Sequence, residues 1–191
     1  DMCCGSGKTA VAFWTAVLCA RHTIIITNNW SNCVQFASEI LTHTNFAKLF
    51  QLKIICTEEE KNSLEGKELQ KFARVSPVLH KSVVPTFHNS DRDSITIVRM
   101  TIIRDGTHVS DTSRSVRQAL FSWTYGCAII DEADTTCTAG FVDSALRLGI
   151  VADDDFSDTE EEQGYPQRKF RLVYDTVFLL SGSCFPSDKS V

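Results

Sequence analysis

A chain of 191 residues is long enough for one domain with a buried core and too short for two complete ones. With 43% hydrophobic and 23% charged residues it is not disordered, collagen-like or a coiled coil, and no apolar run reaches the roughly 18 residues of a membrane span. The net charge of −5 is a local matter: residues 153–162 carry seven acidic side chains, and setting those seven aside leaves +2, which keeps a nucleic-acid partner open.

The chain opens with Met2, Cys3, Cys4, Gly5, Ser6, Gly7, Lys8 and Thr9. This fits the phosphate-loop pattern GxxxxGK[ST] at every defined position except the first, where Met2 stands for glycine. Gly5 and Gly7 let the loop wind tightly, so that backbone N–H groups from Cys4 through Ser6 to Thr9 point at phosphate. Lys8 then reaches the β and γ phosphates and Thr9 ligates Mg²⁺. Residues 10–21 continue as a helix with Val11, Phe13, Trp14, Val17 and Leu18 apolar, its N-terminal dipole facing the anion. Only Asp1 precedes the motif, so the supporting strand is expected upstream and the sequence reads as part of a domain.

Residues 23–27 (TIIIT) read as a buried parallel strand closed by Asn28 and Asn29. Residues 33–41 follow as a helix with Val34, Ala37, Ile40 and Leu41 along one face, and 52–57 (LKIICT) as a second strand. From 58 to 93 the chain turns polar, with a helix expected over 64–75 and Pro77 and Pro85 breaking anything longer; this stretch reads as an excursion from the sheet. A third strand is expected at 95–98, a helix at 113–123, and a fourth strand at 127–130 (CAII) ending in Asp131 and Glu132. Residues 141–148 read as helix, 153–164 as a solvated, disordered acidic loop, and 176–180 (TVFLL) as the last strand, before Ser181, Gly182 and Ser183. Strands alternating with helices predict an α/β domain with a mostly parallel sheet between helices. Such sheets bind ligands beyond the carboxyl ends of their strands, where the phosphate loop, the acidic pair and the serine triplet all fall.

The eight cysteines form no CxxC pair and the five histidines share no metal-ligand spacing, so reduced thiols in an intracellular protein are expected. Phe13, Trp14 and Trp123 are expected in the core rather than as stacking platforms for bases. AIIDEAD, residues 128–134, has the form of a Walker B sequence, an apolar strand delivering two carboxylates to the edge of a phosphate site. Asp131 would hold Mg²⁺ through its shell, and Glu132 would orient and deprotonate the attacking water.

Phosphate loop, DEAD and serine-rich triplet, in that order, resemble motifs I, II and III of the first RecA-like domain of superfamily-two helicases and translocases. Within that superfamily the chain is most similar to the XPB-type helicase subunit of the transcription and repair factor TFIIH. The likeness lies in Met2 followed by CGSGKT, in the strand 23–27 with Asn28 and then Val34, Gln35, Phe36 and Glu39 as in motif Ia, and in WTYGCAIIDEAD, residues 123–134. It implies a RecA-like P-loop NTPase fold, ATP and Mg²⁺ as cofactors, Lys8, Asp131 and Glu132 as catalytic residues, and coupling of nucleotide state through Asp134, Ser181 and Ser183. It further implies a nuclear DNA-dependent ATPase of the 3′–5′ translocase type, acting in nucleotide excision repair and transcription initiation.

DNA backbone contact is expected from Asn28 and Gln35 and from Arg99 and Arg104, because both stretches follow strand ends beside the nucleotide site. The implied partners are DNA, a second RecA-like domain of the same full-length protein and subunits of a TFIIH-like complex, with no membrane. Residues 1–191 alone are expected to be inactive as a motor, since the arginine of that second domain would be missing. Asp134 stands where the family has histidine, and Ser181, Gly182 and Ser183 replace its TAT, closer to the SGT of Swi/Snf-type translocases. Two alternatives are therefore a Swi/Snf-like chromatin-remodelling ATPase and a non-catalytic nucleotide-binding paralogue serving as an interaction module.

Overall fold

A computed structural model describes residues 7, 9–11, 13–14, 22–45, 50–71, 74–77, 93–104, 120–121, 123–133 and 172–180. Among the described residues six strands form one sheet: β1 (His22–Thr27), β2 (Gln51–Cys56), β3 (Arg74–Pro77), β4 (Ser94–Arg99), β5 (Thr124–Ile130) and β6 (Val173–Leu179). Their spatial order is β3-β2-β4-β1-β5-β6, and every neighbouring pair is parallel. Parallel neighbours cannot be joined by a tight turn, so the chain must cross back between them. The helices described in these connections include α1 (Trp30–His43) after β1, α2 (Glu58–Asn62) and α3 (Leu64–Gln70) after β2, and α4 (Met100–Arg104) after β4. The fold is α/β.

β1 lies between β4 and β5, with Ile25 level with Ile97 and Ile129, and Ile26 level with Val98 and Ile130. Alternate residues of these strands feed two separate cores. Ile24, Ile26, Val98, Ala128 and Ile130 pack with Met100, Ile103, Leu120 and Phe121 on one face. Ile25, Ile54, Ile97, Cys127 and Ile129 pack with Phe13, Phe36, Ala37 and Ile40 on the other. Cover on both faces is why these strands read as unbroken apolar runs rather than as alternating ones. The strand at 95–98 spans Ser94–Arg99, that at 127–130 begins at Thr124, and that at 176–180 begins at Val173. The helix at 33–41 begins three residues earlier, because Asn29 caps it by accepting the Asn32 N–H.

The stretch 58–93 is not wholly an excursion. Its residues 74–77 form β3, which pairs with β2 from Lys53↔Arg74 to Cys56↔Pro77. A proline is tolerated there because β3 is the edge strand and Pro77 its last residue, where a missing N–H breaks no interior ladder. The helix expected over 64–75 ends at Gln70, since 74–77 belong to β3, and a second helix precedes it. That helix, α2, starts in a capping box: Thr57 Oγ1 accepts the Glu60 N–H, and Glu60 Oε2 accepts the Thr57 N–H at 2.8 Å.

α2 and α3 meet at Gly66, where a Cβ would run into the carbonyl oxygens of Glu60 and Lys61, the latter at 2.7 Å. Both obstacles are backbone and cannot swing aside. Gly66→Ala is expected to lower stability by about 2 kcal/mol, read as a fall in the urea midpoint at unchanged slope. An unchanged midpoint would contradict this packing.

The expected helices at 113–123 and 141–148 fall mostly or wholly outside the described residues, as does the acidic loop. Leu120 and Phe121 are helical and buried. Trp123 lies outside the helix and sets its ring edge-on to His22, with centroids 5.0 Å apart. Among the described residues no helix is long and apolar enough to cross a membrane.

Candidate functional site

Because all six strands run the same way, their carboxyl ends share one edge of the sheet. β1 delivers Asn28 and Asn29 there, β4 delivers Arg99, β2 delivers Thr57, and β5 delivers Asp131 and Glu132. The two carboxylates thus follow directly from a buried strand.

Their turn is pinned on both sides. The Asp131 N–H donates to the Ile26 carbonyl at 2.8 Å, the Ala133 N–H to the Leu180 carbonyl at 2.8 Å, and the Leu180 N–H to the Ile130 carbonyl at 2.8 Å. Between these anchors Glu132 takes φ 48°, the one positive φ at a non-glycine among the described residues. A side chain in that left-handed region costs about 1 kcal/mol and persists where surrounding bonds over-determine the backbone. Strain of this kind is concentrated at functional sites.

The Asp131 side chain is held as well, by a residue that no motif in the sequence marks. Asn32 donates Nδ2–H to Asp131 Oδ2 at 3.0 Å across 99 residues of chain. Asn32 sits in the first turn of α1, and its own N–H donates to the Asn29 cap at 2.9 Å. Asparagine before an amphipathic run is a helix-start signal. Starting α1 at residue 30 would have put Asn32 in the turn next to the strand ends.

The phosphate-loop candidates are described in part. Gly7 has φ 85° and is exposed, and its carbonyl accepts the Val11 N–H at 3.0 Å, the first bond of a helix that includes residues 9–11 and 13–14. Gly7 therefore stands at the loop-to-helix junction in a conformation that favours glycine. Thr9 is half-buried just inside that helix. Phe13 is buried and meets Phe36 edge-on at 5.5 Å, which seats this helix against α1. Trp14, expected in the core, is instead 58% exposed. It projects beside a cavity of about 260 Å³ lined by Ala10, Phe13, Trp14, Glu39 and Thr44. Cys4, Gly5, Ser6, Lys8, Asp134, Ser181 and Ser183 lie outside the described residues.

Of the nucleic-acid candidates, Asn28 is half-buried at the end of β1, and Gln35 is exposed and donates to Glu39 Oε1 at 3.2 Å. Arg99 places Nη1 3.1 Å from Glu60 Oε1, with the two side chains 21% and 13% exposed. It thereby ties the end of β4 to the capping box of α2, so a phosphate contact by Arg99 would compete with this ion pair. Arg104 ends α4.

Beneath this edge lie buried thiols. The Thr27 hydroxyl donates to the Asn29 carbonyl at 3.2 Å, which leaves the Cys33 thiol to donate to Thr27 Oγ1 at 2.9 Å. Burial pushes Cys33 from its ordinary 9.0 up to about 11, and Cys56 from 9.0 up to about 12. The folded state holds these protons more tightly than the unfolded chain does. Their contribution to stability is complete below about pH 9 and is lost as pH rises through about 11 and 12. The urea midpoint is expected to fall progressively above about pH 9, and Cys33→Ala with Cys56→Ala to reduce that slope. A slope unchanged by the two substitutions would contradict the assignment.

As for a metal, Asp131 and Thr9 offer hard oxygen donors of the kind Mg²⁺ takes. Among the described residues no three His, Cys, Asp or Glu side chains are grouped to hold a metal alone, so a cation here would depend on phosphate and water oxygens to complete its shell. Neither protein-family models nor curated proteins match this chain.

Proposed function

We propose that this chain carries the nucleotide site of a RecA-like P-loop ATPase, binding ATP with Mg²⁺ at the carboxyl edge of its sheet. The observation that supports it most is the pair Asp131 and Glu132, delivered by buried β5 into a turn whose strained backbone is held by three hydrogen bonds. Gly7 at the head of a helix, in a positive-φ conformation, adds support from the other end of the motif order.

On this reading Lys8 and the loop N–H groups from Cys4 to Thr9 hold the phosphates. Asp131 and Thr9 hold the cation, which when bound neutralises charge at the phosphates. Glu132 orients the attacking water and takes its proton. The wider role that fits is a DNA-dependent helicase or translocase of the XPB type, with Asn28 and Gln35 on the DNA backbone and Asp134, Ser181 and Ser183 relaying nucleotide state to a second RecA-like domain.

The interaction-module alternative draws on a specific observation: Arg99 is committed to Glu60 and Gln35 to Glu39, which leaves fewer groups to grip DNA. Titration with a fluorescent ATP analogue tests the nucleotide reading. Saturable binding that Mg²⁺ strengthens and that weakens about tenfold or more in Lys8→Ala is expected. Binding indifferent to Lys8 would refute it. DNA binding by a preparation that passes this test separates a motor from an interaction module.

A further inference from the structure

Asp131 is fastened twice to one segment of chain. Its backbone N–H donates to Ile26 at the end of β1, and its carboxylate accepts from Asn32 at the start of α1. A carboxylate only accepts hydrogen bonds, so the Asn32 atom facing it must be the amide nitrogen. Asn32 is in turn located by the Asn29 cap, and the Thr27 and Cys33 side chains bond to each other across the same bend. The strand end, the cap and the first helical turn thus form one braced unit that presents the Asn32 amide N–H to Asp131 Oδ2.

An aspartate at a strand end can otherwise turn about two side-chain torsions, and each orientation aims its oxygens differently. A bond to Oδ2 at 3.0 Å selects one carboxylate plane before any ligand arrives. Partners of this kind, one bond behind the ligating atom, typically change metal affinity by 10-fold to 100-fold when removed.

We propose that Asn32 is a positioning residue that fixes the carboxylate of Asp131 for the divalent cation accompanying the nucleotide. This rests on the nucleotide-site reading above. Asn32 touches neither nucleotide nor reacting atoms; it acts through Asp131. It also gives the β1–α1 segment, which carries Asn28 and Gln35, a direct mechanical link to the cation carboxylate.

The test is the Mg²⁺ concentration that half-saturates binding of a fluorescent ATP analogue to the 191-residue chain, compared in wild type and Asn32→Leu. Leucine is close in size and has no donor. The midpoint is expected to rise about 10-fold to 100-fold, while binding of the analogue in EDTA and the thermal midpoint stay near wild type. In the Asp131→Asn background the same substitution should add little, since the two residues act as one unit. Mg²⁺-dependent wild-type binding with an unmoved midpoint in Asn32→Leu would overturn the proposal and leave the nucleotide site standing. No Mg²⁺-dependent binding by wild type would overturn both. Should Asn32→Leu fail to fold, the wild-type ¹⁵N spectrum decides: the Asn32 side-chain amide signal is expected to shift when Mg²⁺ joins the bound analogue, and a static signal overturns the proposal.

Discussion

In the full-length protein that carries this segment, Glu132→Gln is expected to lower ATP turnover by about 10²-fold or more while leaving ATP affinity nearly unchanged, since the amide keeps the shape of the side chain and loses only its basicity. Glu132→Gly separates chemistry from backbone. Glycine takes φ 48° without penalty, so this variant should lose turnover as fully yet gain about 1 kcal/mol of stability. Steady-state kinetics and urea denaturation on the two variants check both halves. Wild-type turnover in Glu132→Gln would remove Glu132 from the mechanism. A loss of stability in Glu132→Gly would mean that the side chain, and not the clamped backbone, holds this turn.

The second large effect concerns the sheet that carries the site. Ile129 is fully buried in β5, level with Ile25 of β1 and Phe178 of β6. Ile129→Ala should cost about 3 kcal/mol or more, because interior strand positions relax poorly around a cavity. The loss should appear as a lower urea midpoint and, at moderate denaturant, as loss of nucleotide binding in parallel with unfolding. A cost below about 1 kcal/mol would contradict the central place of β5.

Much of this fold was legible because two-sided burial writes itself as solid apolar runs. TIIIT, ITIV and CAII each mark a strand, and each strand was found within one to three residues of that reading. β3 was hidden. An edge strand of four residues ending in proline has neither an apolar run nor alternation to betray it, and its membership in the sheet depends on pairing with β2. The two short helices before it were obscured by polarity, although Thr57 and Glu60 carry the capping-box spacing.

At the candidate site the sequence pointed to Asp131 and Glu132 because their chemistry depends on local order along the chain. It could not reveal Asn32, whose meaning comes from a hydrogen bond to a residue 99 positions away. Arg99 shows the converse. An arginine after a strand reads as a phosphate contact, but the fold brings Glu60 to it from the neighbouring connection. Which partner a long cationic side chain takes is decided by three-dimensional proximity, not by its neighbours in sequence.

Hydrogen–deuterium exchange with and without MgATP tests the central claim most directly, since it locates the ligand without presuming turnover. The account predicts that MgATP slows exchange in residues 4–9, 28–33 and 131–133, at the carboxyl edge of the sheet, and that Lys8→Ala abolishes the slowing. Saturable MgATP binding that leaves those three segments unprotected, or protects another part of the chain instead, would contradict it.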